Sequence, residues 1–210
     1  MAVSPRRARE IARTRQDILE AAARAFANRG FNSATMQDIA REAGYTAASL
    51  YSYFSSKEEI IRSLLESIRA ERDAILDKQM PEGLNFRQKL ELLLRRQLEF
   101  AGRHKDAIRF VFLSGGPAAY GLQGGTCAGD GLTPLETHAL DYERFFRAHA
   151  APEDLGNWDV ADVALAFAGL SHGFFHRWIR SDEKDDHLAE GLPRFLDFFL
   201  GGLAAARIPK

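Results

Sequence analysis

Two short helices set against each other around a single glycine limit what this chain can fold into more than any other feature. They lie in Thr35–Lys57, TMQDIAREAGYTAASLYSYFSSK. Thr35 is placed to cap the first helix, with Asp38 three residues on as its reciprocal partner, and Gly44 ends it. Thr46 starts the second helix two residues later, with Leu50 and Phe54 one turn apart on its inner side. Ile39, Ala40 and Ala43 form the matching apolar stripe of the first. A three-residue turn containing glycine between two short helices is the helix-turn-helix arrangement, whose second helix fits a DNA major groove. Ala40 is small enough to let the two helices cross closely. Ser56 and Glu59 repeat the start signal for a further helix, and Lys57 sits where its ammonium can reach a phosphate.

Spacing alone also fits a helical hairpin inside a bundle that never meets nucleic acid. The outward face of the second helix separates the two readings. Thr46, Ala47, Ala48, Ser49, Tyr51 and Tyr53 are small or carry hydroxyls, with no long aliphatic among them. Such a face makes a poor core but suits close approach to base edges and phosphates.

The longer stretch Ile18–Ile61 closely resembles the DNA-binding domain of TetR-type transcriptional regulators. The likeness is carried by Phe26 with Gly30 and Phe31, by T-M-x-x-I-A, by the A-G pair, and by L-Y-x-Y-F-x-S-K. It implies a DNA-binding regulator, most often a repressor, that dimerises through its last two long helices. Thr35, Tyr51, Tyr53 and Lys57 would then hold phosphates, while Gln37, Ala47, Ala48 and Ser49 would lie against bases, with Thr46 at the edge of that set. Gln37 can offer donor and acceptor to adenine, and alanine methyls can meet thymine methyls. Tyr45 stands where the family often has valine. Its ring either packs under the turn or points at the DNA backbone.

The rest of the chain reads as helices only, so the fold class is all-α. We expect a three-helix domain over residues 1–60, with a mobile basic arm at 1–13, followed by a larger helical ligand-binding and dimerisation domain over 61–210. The pattern becomes helical from about Thr14, through Ile18, Ala22 and Phe26 to Gly30. Helices then follow over Lys57–Met80, from Phe86 to Gly102, Ile108–Leu113, Leu132–Ala150, Asp159–Arg180 and Asp186–Ala205. Pro193 either kinks the last or marks its first turn. Residues 1–72 hold 12 Lys+Arg against 9 Asp+Glu, within a chain of net charge −1. A basic head on an acidic body fits one end meeting phosphate. The arginines of the arm would add sequence-independent affinity or enter a minor groove, or form a plain solvated tail.

One cysteine, Cys127, rules out an internal disulfide framework and suits a reducing cytoplasm. No apolar run approaches the ~20 residues of a membrane span. The glycine-rich segment around 115–131 lacks the order of a phosphate-binding loop and reads as a surface loop able to gate a pocket. No paired carboxylates, nucleophile–base set or metal-ligand spacing appears, so neither enzyme activity, nor a metal, nor a cofactor is expected. His172 and His176, one turn apart, read as core or pocket-lining. A helical interaction adaptor, or an enzyme using the C-terminal body, is the alternative to the regulator.

Two further surfaces are expected in the body. Phe110, Phe112, Tyr120, Tyr142, Phe146, Phe167, His172 and Trp178 together resemble the lining of an apolar pocket with a few polar groups, suited to a small effector. Gly169 and Gly173 offer a flat strip for close helix packing, with Phe195, Phe199 and Leu203 supplying the opposite side. That pair of helices is expected to meet its twin as a four-helix bundle, giving a homodimer that reads a pseudo-palindrome with recognition helices about 34–36 Å apart.

Overall fold

The computed structural model describes residues 4–113, 134–180 and 186–205, and among these every regular element is helical. In order they are α1 (Pro5–Arg29), α2 (Met36–Ala43), α3 (Ala47–Tyr51), α4 (Lys57–Leu76) and α5 (Phe86–Arg103). Then come α6 (Lys105–Leu113), α7 (Pro134–His149), the single turn α8 (Pro152–Leu155), α9 (Val160–Arg180) and α10 (Asp186–Ala205). Two compact units result. Among the described residues the first comprises 4–70 with 104–113, and the second 71–103 with the described residues from 134 onward. The division therefore falls within α4 rather than at residue 60, and α6 returns to the first unit.

In the first unit α1 packs along both α2 and α6. Its buried residues are Ile18, Leu19, Ala21, Ala22, Ala23, Ala25 and Phe26, the stripe expected from their spacing. Phe26 meets Phe31 and Phe110, each at 5.4 Å between ring centroids. Ile39, Ala40, Leu50, Phe54, Ile60 and Ile61 complete this core. The basic arm is not a loose tail over its described residues. Ser4 caps α1 by accepting from the Arg7 amide at 3.3 Å, and Pro5 occupies the first turn, so the helix begins nine residues before Thr14. α4 likewise ends at Leu76, short of Met80.

The second unit is an aromatic-layered bundle in which α7 packs along α9 and α5 against α10. Phe167 is at its centre, fully buried, with Tyr142 and Phe199 each at 4.7 Å, Phe146 at 5.5 Å and Phe195 at 5.7 Å. Asn85 and Gln88 cap α5 reciprocally, each side chain accepting from the other's amide at 2.9 Å. Gly191 lets α10 close on α9, since a Cβ there would stand 3.2 Å from the Phe174 ring. Pro193 lies inside α10 and does not mark its first turn.

Candidate nucleic-acid interface

The helix-turn-helix is built from local polar ties. Thr35 Oγ1 accepts from the Asp38 amide at 3.1 Å, Asp38 Oδ2 accepts from the Thr35 amide at 3.1 Å, and the Thr35 hydroxyl donates to the same carboxylate at 2.7 Å. These Thr35 hydrogen bonds, with Arg29 and Arg41 beside them, hold the Asp38 carboxyl below its ordinary range. Gly44 takes φ +75°, the left-handed conformation that ends α2 and that other residues adopt at a cost. Thr46 then caps α3 by accepting from the Ser49 amide at 3.1 Å. The start of α4 divides its signal between two serines: Ser56 accepts from the Glu59 amide, whereas Glu59 accepts from the amide and hydroxyl of Ser55. Those Ser55 bonds lower the Glu59 pKa.

On this frame Gln37, Thr46, Ala48 and Tyr51 are exposed, with Tyr51 at 54%, while Tyr45, Ala47, Ser49 and Tyr53 are half-buried. The hydroxyl-and-methyl face of α3 is therefore accessible from solvent. Tyr45 packs against the first core, as do the inner sides of Ala47 and Tyr53. α3 itself is short, a five-residue helix whose end is carried on by the Ser52 and Tyr53 amides bonding back to Ser49 and Leu50.

Lys57 is engaged within the unit. Its ammonium donates to the carbonyls of Phe31 at 2.6 Å, Ala34 at 3.0 Å and, more weakly, Asn32 at 3.4 Å. It also stands 4.5 Å from the centre of the Phe31 ring. Its three donors are spent inside the unit, fixing the loop that presents Thr35 and Gln37. Arg15, absent from the sequence reading, performs a matching task. It donates to the Tyr53 carbonyl, lies 4.0 Å from the centre of the Phe54 ring and pairs with Glu59 at 3.8 Å. No local pattern could have marked it, because its partners are about forty residues away.

The residues expected to form one pocket are shared between the two units and the segments outside the described residues. Phe110 belongs to the core of the first unit. Tyr142, Phe146 and Phe167 form one close-packed aromatic stack in the second. Trp178 is buried, and the His172 ring lies 6.4 Å from that of His138. The Phe112 side chain, Tyr120, Cys127 and the 115–131 loop lie outside the described residues. A cavity of about 240 Å³ occurs elsewhere, lined by Asn85, Phe86, Arg87, Asp154 and Leu200.

Beside the aromatic stack is a buried polar group that sequence reasoning missed. The Tyr142 hydroxyl donates to Gln97 Oε1 at 2.9 Å and adjoins Ser171, and burial pushes its pKa up to about 12. Burial, with the Arg72 charge and His172 nearby, pushes His138 down to about 3, so its imidazole is neutral. Arg72 pairs with Asp141 at 3.3 Å, both largely buried.

The residues expected at the dimer strip differ in exposure. Gly169 and Gly173 face outward and nothing lies within 4 Å of a Cβ built on either. Phe199 and Leu203, however, are buried in the chain's own core and Phe195 is half-buried against it. The exposed residues of α10 include Phe198, at 70%, with Gly201 and Gly202.

Fold and site together define a helix-turn-helix protein: a small capped unit presenting an open recognition face, joined in one chain to a larger helical body. Residues 18–64 match the family model for bacterial regulatory proteins of the tetR family. It is 44% identical over 69 residues to the transcriptional regulator TtgR of Pseudomonas putida, covering 32% of this chain and 33% of that protein. It is 34% identical over 94 residues to the transcriptional repressor KstR2 of Rhodococcus jostii, covering 45% and 46%. The chain thus spans between a third and a half of these relatives. Among solved structures, a transcriptional regulator from Aquifex aeolicus superimposes with a TM-score of 0.68 at 20% identity, over 88% of this chain and 98% of that one. The fatty acid degradation regulator FadR of Bacillus halodurans does so at 0.64 and 17%, over 97% and 98%. At that identity the likeness is one of fold. Among the described residues no helix is long and apolar enough to cross a membrane.

Proposed function

We propose that the chain is a homodimeric, sequence-specific DNA-binding repressor of the cytoplasm, released from a pseudo-palindromic operator when its helical body binds a small molecule. The observation that carries the reading is the accessible side of α3, where Thr46, Ala48 and Tyr51 stand exposed on a segment held by caps and by Lys57 and Arg15. Side chains of that size can enter a major groove to base-contact distance. Gln37, exposed at the start of α2, is the residue best suited to read a base. Thr35, Tyr51 and Tyr53 would hold phosphates, and for this the Thr35 hydroxyl must leave Asp38.

The outward band of Leu165, Gly169, Gly173, Phe198, Gly201 and Gly202 supports the dimer, because helices backed by glycine can approach closely and Phe198 has no cover of its own. In the body, the Tyr142–Gln97–Ser171 group and neutral His138 are the polar features an effector would address within an otherwise apolar core.

Selection of duplexes from a random pool, followed by binding of the enriched sequence, tests the function. Gln37→Ala is expected to weaken binding by roughly 1–3 kcal/mol and to relax preference at one base pair in each half-site. Failure of the chain to enrich any duplex sinks the reading. Phe198→Glu is expected to convert the dimer to monomer in a mass measurement and to abolish occupancy of paired half-sites together.

A further inference from the structure

We propose that Arg15 is a positioning residue for DNA binding: its one guanidinium holds the turn after α3 so that Tyr51 and Tyr53 stand ready for the phosphate backbone. This rests on the DNA-binding reading above and adds to it a residue that acts on DNA through its neighbours.

α3 has five residues, too few for helical hydrogen bonding to hold its ends. Beyond Tyr51 the amides of Ser52, Tyr53 and Phe54 return to the carbonyls of Ser49 and Leu50, whereas the Ser55 amide turns to Glu59. The ladder of α3 therefore stops at Phe54, directly after the second of the two tyrosines. Phe54 is buried, but apolar packing is non-directional and sets the depth of this turn better than its rotation.

Arg15 supplies the direction. Its Nη1 donates to the Tyr53 carbonyl, its guanidinium carbon stands 4.0 Å from the centre of the Phe54 ring, and its Nη2 is 3.8 Å from Glu59 Oε1. The other Glu59 oxygen accepts from the Ser55 amide and hydroxyl, each at 2.7 Å. Tyr53, Phe54 and Ser55 are thus held by one side chain, the first two directly and the third through Glu59. The Ser55 bonds and then the Arg15 charge lower the Glu59 pKa, so the acceptor in this chain of contacts is ionised at neutral pH. Arginine has the shape for the task, because its planar fork reaches a carbonyl and a carboxylate while its face lies on a ring.

A binding constellation works when its groups are held to within roughly 0.5 Å and 10–20°. For Tyr51 and Tyr53 that depends on the backbone from 51 to 55, and a turn fixed before DNA arrives spares the ordering that binding would otherwise require. The Arg15 side chain is 36% exposed, so a direct phosphate contact is the competing role, and salt separates the two.

The test measures affinity and its salt dependence for the wild type, Arg15→Met, Arg15→Lys, Tyr53→Phe and R15M/Y53F. The duplexes are one enriched by the wild-type chain and one of random sequence. Arg24→Met is the control, because it breaks a half-exposed tie from α1 to Glu42 of α2 in the same unit, 2.8 Å long and of little strength in water. Arg15→Met is expected to weaken binding about tenfold on both duplexes, with the slope of log K against log salt unchanged. Tyr53→Phe alone is expected to weaken it several-fold. The double variant should bind no more weakly than Arg15→Met, since the tyrosines are then already out of place. Arg15→Lys should recover little, because an ammonium lacks the fork. A slope lowered by about 0.9 gives Arg15 a phosphate of its own and overturns the proposal. So do losses that add in the double variant, full recovery with lysine, or an equal loss in Arg24→Met. If Arg15→Met does not fold, Arg15→Lys combined with Tyr53→Phe completes the same cycle. A wild type that binds no duplex fails the DNA reading itself, whereas a wild type and an Arg15→Met variant that bind equally well fail the positioning role alone.

Discussion

The two units of this chain are stabilised in different currencies. The first is small, and polar side chains reaching backbone groups fix its geometry: Thr35 with Asp38, Thr46 with Ser49, Lys57 on three carbonyls, Arg15 on a fourth. The second is organised by rings around Phe167, with a polar cluster sealed against them. A unit that must present a few side chains at fixed angles is served by directional bonds. A body that encloses a polar cluster in an apolar core is served by close-packed rings. The sequence relatives follow the same line, because the family match stays within residues 18–64 while the likeness over the whole chain is one of fold.

The sharpest way to break this contrast is to truncate the central ring of each core. Phe167→Ala is expected to cost about 3–5 kcal/mol, the range for a buried phenylalanine. The loss should appear in urea unfolding followed by tryptophan emission, since Trp158 and Trp178 both belong to the second unit. Phe26→Ala carries a similar penalty in the first unit but should leave that emission signal in place. If both variants shift the tryptophan transition equally, the two units do not unfold separately and the contrast fails.

Lys57 sharpens the polar side of the comparison. Hydrogen bonds from a charged donor contribute about 1.5–3 kcal/mol, so Lys57→Met is expected to destabilise the first unit by roughly that amount. It should lower DNA affinity on all sequences without changing the salt slope. A slope reduced by about one would return Lys57 to the phosphate contact first expected of it. Lys57→Arg should recover little, because a planar guanidinium cannot direct three protons at three carbonyls of one loop.

What was legible in the sequence follows from how far apart the interacting residues are. The capping box at Thr35, the Gly44 stop and the Thr46 cap link residues three or four apart, and each could be read from the chain directly. The Lys57 and Arg15 ties span 23 to 38 residues and left no local mark. That Phe110 joins the first core is not legible for the same reason: its partner Phe26 is distant in sequence, and the periodicity of α6 does not say which core it joins. On α10 the difficulty was of phase. Phe195, Phe198 and Phe199 are apolar around most of the helix, so spacing could not show that Phe199 and Leu203 turn inward while Phe198 is left outside. The buried Tyr142–Gln97 bond joins α7 to α5 across 45 residues, beyond any motif.

The finest distinction between the units lies in their response to acid. The shifted groups of the first unit are Asp38 and Glu59, carboxyls lowered from ordinary values of 3.8 and 4.5, so the stability they add is lost only at pH values below about those figures. His138 in the second unit is lowered from 6.5 to about 3. Between these limits the unfolded chain binds a proton that the folded body refuses. The stability this histidine provides is complete above about 6.5 and falls as pH drops through the window, at roughly 1.4 kcal/mol per pH unit. From pH 6.5 to 4.5 the second unit should therefore weaken while the first does not. His138→Leu should flatten that slope, leaving a smaller remainder from His172 and His149, whose values burial also lowers. Tryptophan-monitored urea unfolding at several pH values in this interval measures it. A wild-type midpoint constant between pH 6.5 and 4.5 would mean that His138 accepts its proton in the folded state, with water reaching a side chain that the packing of α7 and α9 leaves dry.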